Sequence, residues 1–313
     1  MTEKKNVIMD ATLLSSLMNC ERKLELRHGL NIVPIGPKSK ALEMGSLMHV
    51  FLEWYYKEIR DGRRSTARQV ALEKGEFYYT FGELITPEER TEEVLDADGN
   101  IISPAIITQE AVYEPLSNMQ IEDYALCIDT FNLYCERWKN DSFTPVHIEH
   151  VIGKILYEDE ELRVLWKAKF DLISDTPIGF IPTDHKTMKQ RRETLALNNQ
   201  FMGQCHLLGV RSVLINKVGF QTSLKPEERF HRVSISYTAD QLAEWVSETV
   251  YWAKYLINLN ETNYFPRRFT QCECKFGKCE YYENLCSVNQ SMRDEQIKLF
   301  FKPGKHWDVN NDD

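Results

Sequence analysis

Asp171, Asp184 and Lys186 are the residues whose types and spacing point most directly to chemistry. Upstream of the first of them, Leu162, Val164, Trp166, Ala168 and Phe170 alternate as on the apolar face of a strand, which turns Lys167, Lys169 and Asp171 to the other face. Asp184 and Lys186 are two positions apart and share a face, while His185 between them points the opposite way. If the two strands pair as a hairpin, Asp171 approaches Asp184 and Lys186. Carboxylates held that close repel unless a cation lies between them, and hard oxygen ligands favour Mg²⁺ or Mn²⁺. A lysine beside such an ion can orient and help deprotonate a water, or stabilise the charge that grows on a phosphate. Metal-assisted phosphodiester hydrolysis needs these parts. The spacing alone also suits an ordinary turn at a strand end.

A second group lies near the C-terminus, where Cys272, Cys274, Cys279 and Cys286 fall within fifteen residues. Thiols at that density in a polar, turn-rich segment suit a tetrahedral zinc or an iron-sulfur cluster, and the spacing leaves the two open. Cys127, Cys135 and Cys205 sit in helical patterns and read as packed side chains. Eight cysteines in 313 residues are too few for a disulfide scaffold, which points to a reducing, cytoplasmic setting. No apolar run approaches the ~20 residues of a membrane span.

These residues must be positioned by a sizeable core, and 42% hydrophobic content supplies one. The pattern predicts an α/β chain that forms one domain over 1–313. Residues 1–80 are helical, with Asp10 as a helix cap and a second helix over Lys40–Arg60; 81–140 form an acidic helical insertion. Residues 141–264 form the catalytic core and 265–313 the cysteine-rich tail. Within the core, Val146 to Tyr157, Leu162 to Ile173 and Ile178 to Asp184 read as an antiparallel meander, followed by a helix around Thr194 to Leu208. The net charge of -9 excludes a uniformly basic nucleic-acid coat. Yet Glu83 to Asp123 carries eleven acidic residues and one basic one, so the excess acid is confined to one segment.

Asp184-His185-Lys186-Thr187, preceded by Ala168-Lys169-Phe170-Asp171, resembles the core motif of the PD-(D/E)XK nuclease superfamily, and more narrowly its RecB-like and AddB-like exonuclease branch. Gly45-Ser46-Leu47-Met48-His49 is similar to that branch's helical Gly-x-x-x-His, whose histidine is a metal ligand. Gln200-Phe201-Met202-Gly203-Gln204 is similar to its Gln-x-x-x-Tyr, with Gln204 where tyrosine is usual. Cys20-Glu21-Arg22 resembles the family's Cys-Pro-Arg, with Glu21 in the proline's place. The resemblance implies a restriction-endonuclease-like core, a mixed central sheet flanked by helices. It further implies Mg²⁺ or Mn²⁺ held by His49, Asp171, Asp184 and the His185 carbonyl, with Lys186 positioning the attacking water and Gln200 and Gln204 contacting DNA. A structural 4Fe-4S cluster would be held by Cys20, Cys272, Cys279 and Cys286, with Cys274 as the alternative to Cys272. A zinc site on the four tail cysteines alone remains the other possibility.

The implied substrate is DNA, single-stranded or at duplex ends. Basic patches at Lys57, Arg60, Arg63, Arg64 and Arg68, at Lys189, Arg191 and Arg192, and at Arg267, Arg268, Lys275 and Lys278 are candidate phosphate contacts. The alternatives are a non-catalytic DNA-binding or assembly subunit, and a nuclease that works only beside a helicase, recombination or CRISPR adaptation partner. Intact Asp171, Asp184 and Lys186 argue against the first and Gln204 mildly for it. Glu149, at the start of the meander, is a peripheral acidic group outside the expected set.

Overall fold

Alternating apolar residues build a sheet along which the chain can be followed in a computed structural model. It describes residues 4–36, 38–85, 90–95, 101–107, 112–116, 118–177, 179–188, 197–274 and 277–304. The chain divides into two compact units, Met1–Gly36 with Trp138–Asp313, and Pro37–Arg137. Cys20 falls in the first and His49 in the second.

The first unit opens with strand β1 (Lys5–Met9), helix α1 (Ala11–Asn19), the short α2 (Glu21–Leu24) and β2 (Ile32–Pro34). Asp10 caps α1 as expected, its Oδ1 accepting from the amides of Thr12 and Leu13 at 2.6 and 2.8 Å. β1 was not legible in the sequence; its five residues pair in parallel with a strand more than 150 positions away.

The second unit contains α3 (Lys40–Arg60), α4 (Ala67–Phe81), β3 (Glu83–Ile85), β4 (Arg90–Leu95), β5 (Ile101–Ile107), β6 (Val112–Glu114) and α5 (Ile121–Arg137). Its helices pack through Phe51 and Phe131, stacked at 4.9 Å, and through the Tyr56–Tyr134 hydroxyl contact of 2.6 Å. Among its described residues beyond the end of α4, the segment expected as a helical insertion is helical in α5. Its acidic part forms antiparallel ladders, β3 with β6 and β4 with β5. Val94, Ile101, Ile102, Ile106 and Ile107 favour extended backbone more strongly than the surrounding acidic residues favour helix. Asp98-Gly99-Asn100, whose residue types favour a turn, lies outside the described residues.

Returning to the first unit, β7 (Thr144–Glu158), β8 (Leu162–Thr176) and β9 (Gly179–Met188) form the expected meander. α6 (Asn199–Leu208), β10 (Ser212–Gly219), α7 (Pro226–Arg229), β11 (Phe230–Ser236) and α8 (Ala239–Thr262) follow. β9 and β10 run parallel and β10 and β11 antiparallel, so the six-stranded sheet is mixed, as the resemblance implies. One edge of β8 pairs with β7 along most of its length. The other is shared: β1 occupies Leu162 to Trp166 and β9 begins at Leu172. The strands therefore part at Asp171.

The core of this unit gathers Trp166, Phe170, Phe201, Val213, Ile215 and Trp245 between sheet and helices. Asn198 caps α6 with its Oδ1 on the Gln200 amide, and Gly209 ends the helix at φ 67°, a left-handed conformation that glycine adopts without strain. A Cβ at Gly203 would meet the indole Nε1 of Trp166 and lie 2.5 Å from its Cε2, so glycine is what allows α6 to lie against β8. The tail closes with β12 (Glu273–Cys274), β13 (Gly277–Lys278), α9 (Arg293–Phe300) and β14 (Phe301–Pro303), which pairs with β2. Tyr281, Leu285 and Phe301 bury themselves there against Leu26 and Ile32.

Candidate active site and cysteine site

The β8–β9 ladder ends at Leu172↔Thr183, one step short of Asp171 and Asp184, which therefore stand opposite each other where the strands separate. The amide of His185 donates to Asp171 Oδ2 at 2.7 Å, so this carboxylate meets a backbone donor just past the ladder's end. Asp184, 1% exposed, is ion-paired through Oδ2 with Lys186 Nζ at 2.8 Å and accepts at Oδ1 from Gln200 Nε2 at 2.6 Å. Lys186 also donates to Gln200 Oε1 at 3.3 Å, closing a ring of three side chains. Its side chain is 44% exposed. The imidazole of His185 lies on the opposite face, 2.8 Å from Asn216 Nδ2, as strand alternation requires.

Sequence reasoning left Glu149 outside the expected set. It stands between Ile148↔Leu172 and His150↔Phe170, directly across from Asp171, and its carboxylate comes within 4.8 Å of that residue's. Its φ of 51° is left-handed, a conformation that costs a non-glycine residue about 1–3 kcal/mol and clusters at functional sites. Lys169 Nζ holds it at 3.1 Å. Three adjacent strands thus contribute Glu149, Asp171 and Asp184 in a row.

Burial pushes the Asp171 carboxyl well above its ordinary range, and the negative charges of Asp184 and Glu149 push it further. Burial also raises Asp184, against the opposing influence of Lys186 and Gln200. Without a cation this cluster is costly. A carboxylate whose folded pKa lies above its unfolded value, near 4, lets the folded protein bind more protons than the unfolded chain in the interval between them. Stability therefore falls as pH rises through that interval and stays low above it. Asp171→Asn should raise the melting temperature of metal-free protein at pH 8 by about 3 °C or more, with the difference vanishing towards pH 4. Melting curves at the two pH values check this, and a wild type more stable than the variant at pH 8 would contradict it.

Gln200 and Gln204 do not share a setting. Gln204 is 1% exposed and its amide nitrogen and oxygen have no hydrogen-bond partner among the described residues. Four residues turn a helix by about 400°, and that residual rotation, with Gly203 drawing α6 onto Trp166, takes Gln204 into the interior. His49 lies half-buried on α3 of the other unit. The first basic patch is largely engaged by acids: Lys57 with Glu53, Arg60 with Asp61, Arg63 with Glu58 and Asp61, and Arg68 with Glu136. In the tail Arg268 pairs with Glu21 and Lys278 with Glu283, while Arg267 donates to the Cys286 carbonyl. Lys189, Arg191, Arg192 and Lys275 lie outside the described residues.

Cys20, Cys272, Cys279 and Cys286 line one cavity of about 1240 Å³ together with Asn199, Gln200 and Trp245. The Cys279 amide donates to the Cys272 carbonyl at 2.8 Å, setting those two cysteines side by side. Burial pushes the Cys286 thiol up to about 11, with further contributions from Cys279, Cys20 and Cys272; Cys272 is raised by burial and by Cys279 and Cys20. All four line the same cavity, and thiolates are the donors that a soft-metal centre takes. The Cys274 side chain lies outside the described ones.

No helix among the described residues is long and apolar enough to cross a membrane. No curated protein matches the chain. Among solved structures, a protein of Eubacterium rectale assigned as an exonuclease is 14% identical, with 91% of each chain covered and a TM-score of 0.45. An alkaline exonuclease from Laribacter hongkongensis is 8% identical, covering 42% of this chain and 71% of its own, with a TM-score of 0.26. The model of the PD-(D/E)XK nuclease superfamily matches residues 11–286, a span that runs from α1 to the last tail cysteine and includes Asp171, Asp184 and Lys186. With that match over most of its length, the chain belongs to the PD-(D/E)XK nuclease superfamily.

Proposed function

We propose that the protein is an Mg²⁺- or Mn²⁺-dependent deoxyribonuclease that removes nucleotides from DNA ends and carries a structural 4Fe-4S cluster. The observation that carries the nuclease reading is the ring of Asp184, Lys186 and Gln200 beside Asp171 at the point where two strands part. Asp171, Asp184 and the His185 carbonyl are the proposed metal ligands, with Glu149 close enough to join through a water. His49 is proposed as a further ligand on the strength of the Gly45–His49 motif. A bound divalent ion supplies Lewis acidity towards the scissile phosphate and lowers the pKa of a coordinated water.

The chain's own residues do the rest. Lys186, fixed by Asp184 and Gln200 with its side chain partly exposed, holds the attacking water in line and opposes the charge that develops on the phosphate. Gln200 orients Lys186 and is positioned to touch the substrate strand. Cys20, Cys272, Cys279 and Cys286 hold the cluster. Cys20's place in the same cavity as the three tail thiols favours this set over the four tail cysteines alone. Since hydrolysis transfers no electrons, the cluster's part is to fasten the tail to the N-terminal helices.

The test is protein purified without oxygen and assayed on end-labelled single- and double-stranded DNA with Mn²⁺, beside Lys186→Ala. Wild type should release short products from the labelled end, and the variant should be at least about 10²-fold slower. Equal rates, or no cleavage by either protein, would sink the catalytic reading. Visible absorption and metal analysis of the same sample should show iron; a colourless zinc protein rules the cluster out.

A further inference from the structure

Glu21 stands where the resembling nucleases have proline, immediately after the first cysteine of the proposed cluster. Its setting is not that of a helix-surface glutamate. It is 1% exposed, and Arg268, 247 positions away, grips it with a two-pronged contact: Nε to Oε2 at 2.8 Å and Nη2 to Oε1 at 2.6 Å. The Tyr255 hydroxyl of α8 donates to Oε1 at 3.1 Å. Beside this pair the amide of Arg22 donates to the Pro266 carbonyl at 3.0 Å. Each partner of the ion pair is tied to a cysteine: Glu21 follows Cys20 in the chain, and the Arg268 carbonyl faces Cys272 Sγ at 3.9 Å.

We propose that Glu21 and Arg268 are positioning residues for the cysteine site, a clasp that brings Cys20 into register with Cys272 whether or not metal is bound. The inference rests on reading the four thiols as one metal site, but the clasp itself consists of groups that are not ligands. A buried carboxylate engaged by a guanidinium fork and a hydroxyl has one favourable geometry, so it fixes both approach and orientation of the two segments. Proline at position 21 stiffens only its own backbone, whereas glutamate reaches across to the other end of the chain.

Hydrogen–deuterium exchange on reduced, chelator-stripped protein tests this in the absence of metal. Glu21→Gln keeps the shape of the side chain and an acceptor for Tyr255 but removes the charge. In the stripped variant the amides of Arg22 and Cys279 should exchange at least about tenfold faster than in stripped wild type, while Val164 and Leu214 in the sheet are unchanged. Tyr255→Phe should give a smaller acceleration at the same amides. In the loaded proteins, transfer of the metal to a chelator should be at least about tenfold faster for Glu21→Gln. Equal exchange at Arg22 and Cys279 in the stripped proteins overturns the clasp, and so does acceleration spread through the sheet, which would mark an ordinary stabilising ion pair. Should Glu21→Gln fail to fold, Arg268→Lys, which keeps the charge and loses the fork, is read by the same amides. A wild type that holds neither iron nor zinc defeats the metal reading alone, because the metal-free exchange comparison still decides the clasp.

Discussion

Asp184→Asn should lower the rate of metal-dependent DNA cleavage by at least about 10³-fold while leaving the protein folded and, without metal, no less stable. Asp184 accepts from Gln200 at one oxygen and meets Lys186 at the other, and it faces Asp171 across the parting strands. An asparagine keeps the volume and one acceptor. It presents an NH₂ group towards either Lys186 or Gln200, and it is a poor ligand for a hard cation. The losses therefore coincide: a proposed metal ligand, the anchor of the lysine and the charge that holds the lysine in place. Stability should respond the other way, because burial already raises the pKa of this carboxyl and its neighbour carries like charge. Initial rates with Mn²⁺ and melting curves in a chelator measure the two sides. A variant within tenfold of wild-type activity removes Asp184 from the mechanism.

Gly203→Ala should destabilise the protein by about 1–3 kcal/mol and slow cleavage as well. In an exposed helix the same change is favourable by up to about 1 kcal/mol, since alanine has the better helix propensity. Here the added methyl would meet the Trp166 indole, which is itself locked edge-to-face against Trp245 at 4.9 Å. With the ring unable to give way, α6 must lift from β8. The helix carries Gln200, so the same displacement pulls its amide from Asp184 and Lys186. Urea denaturation and initial rates measure both effects. Trp166→Phe in the same chain should recover part of the stability by vacating space, and a Gly203→Ala protein as stable as wild type would show that the indole can move.

Both expectations draw on features of different legibility. The meander and the common face of Asp171, Asp184 and Lys186 follow from alternation of apolar residues along single strands, a local property that any pairing preserves. Gln200's nearness to the lysine follows from its helix entering just after β9. Glu149 was visible as an acid near a strand start, but its role depends on register with Asp171 and on a left-handed φ that no propensity announces. The resemblance pairs Gln204 with Gln200 as DNA contacts, and the approach of α6 to Trp166 makes them different. The acidic segment is extended at Val94, Ile101 and Ile102 because β-branched content decides the backbone there.

The basic patches show the same limit from another side. Counting cations along the sequence suggested phosphate contacts, whereas in the first patch the folded chain places Glu53, Glu58, Asp61 and Glu136 against the cations. By itself the sequence determined the residue types gathered in the candidate site, their shared strand face, the sheet-and-helix class and the density of thiols, because these are fixed within a few residues by backbone periodicity and side-chain chemistry. Tertiary structure alone decided that Glu21 finds Arg268, that β1 completes the edge of β8 and that Glu149 faces Asp171. Such pairings join residues far apart in the chain, and which ones form depends on how the whole unit buries its apolar surface.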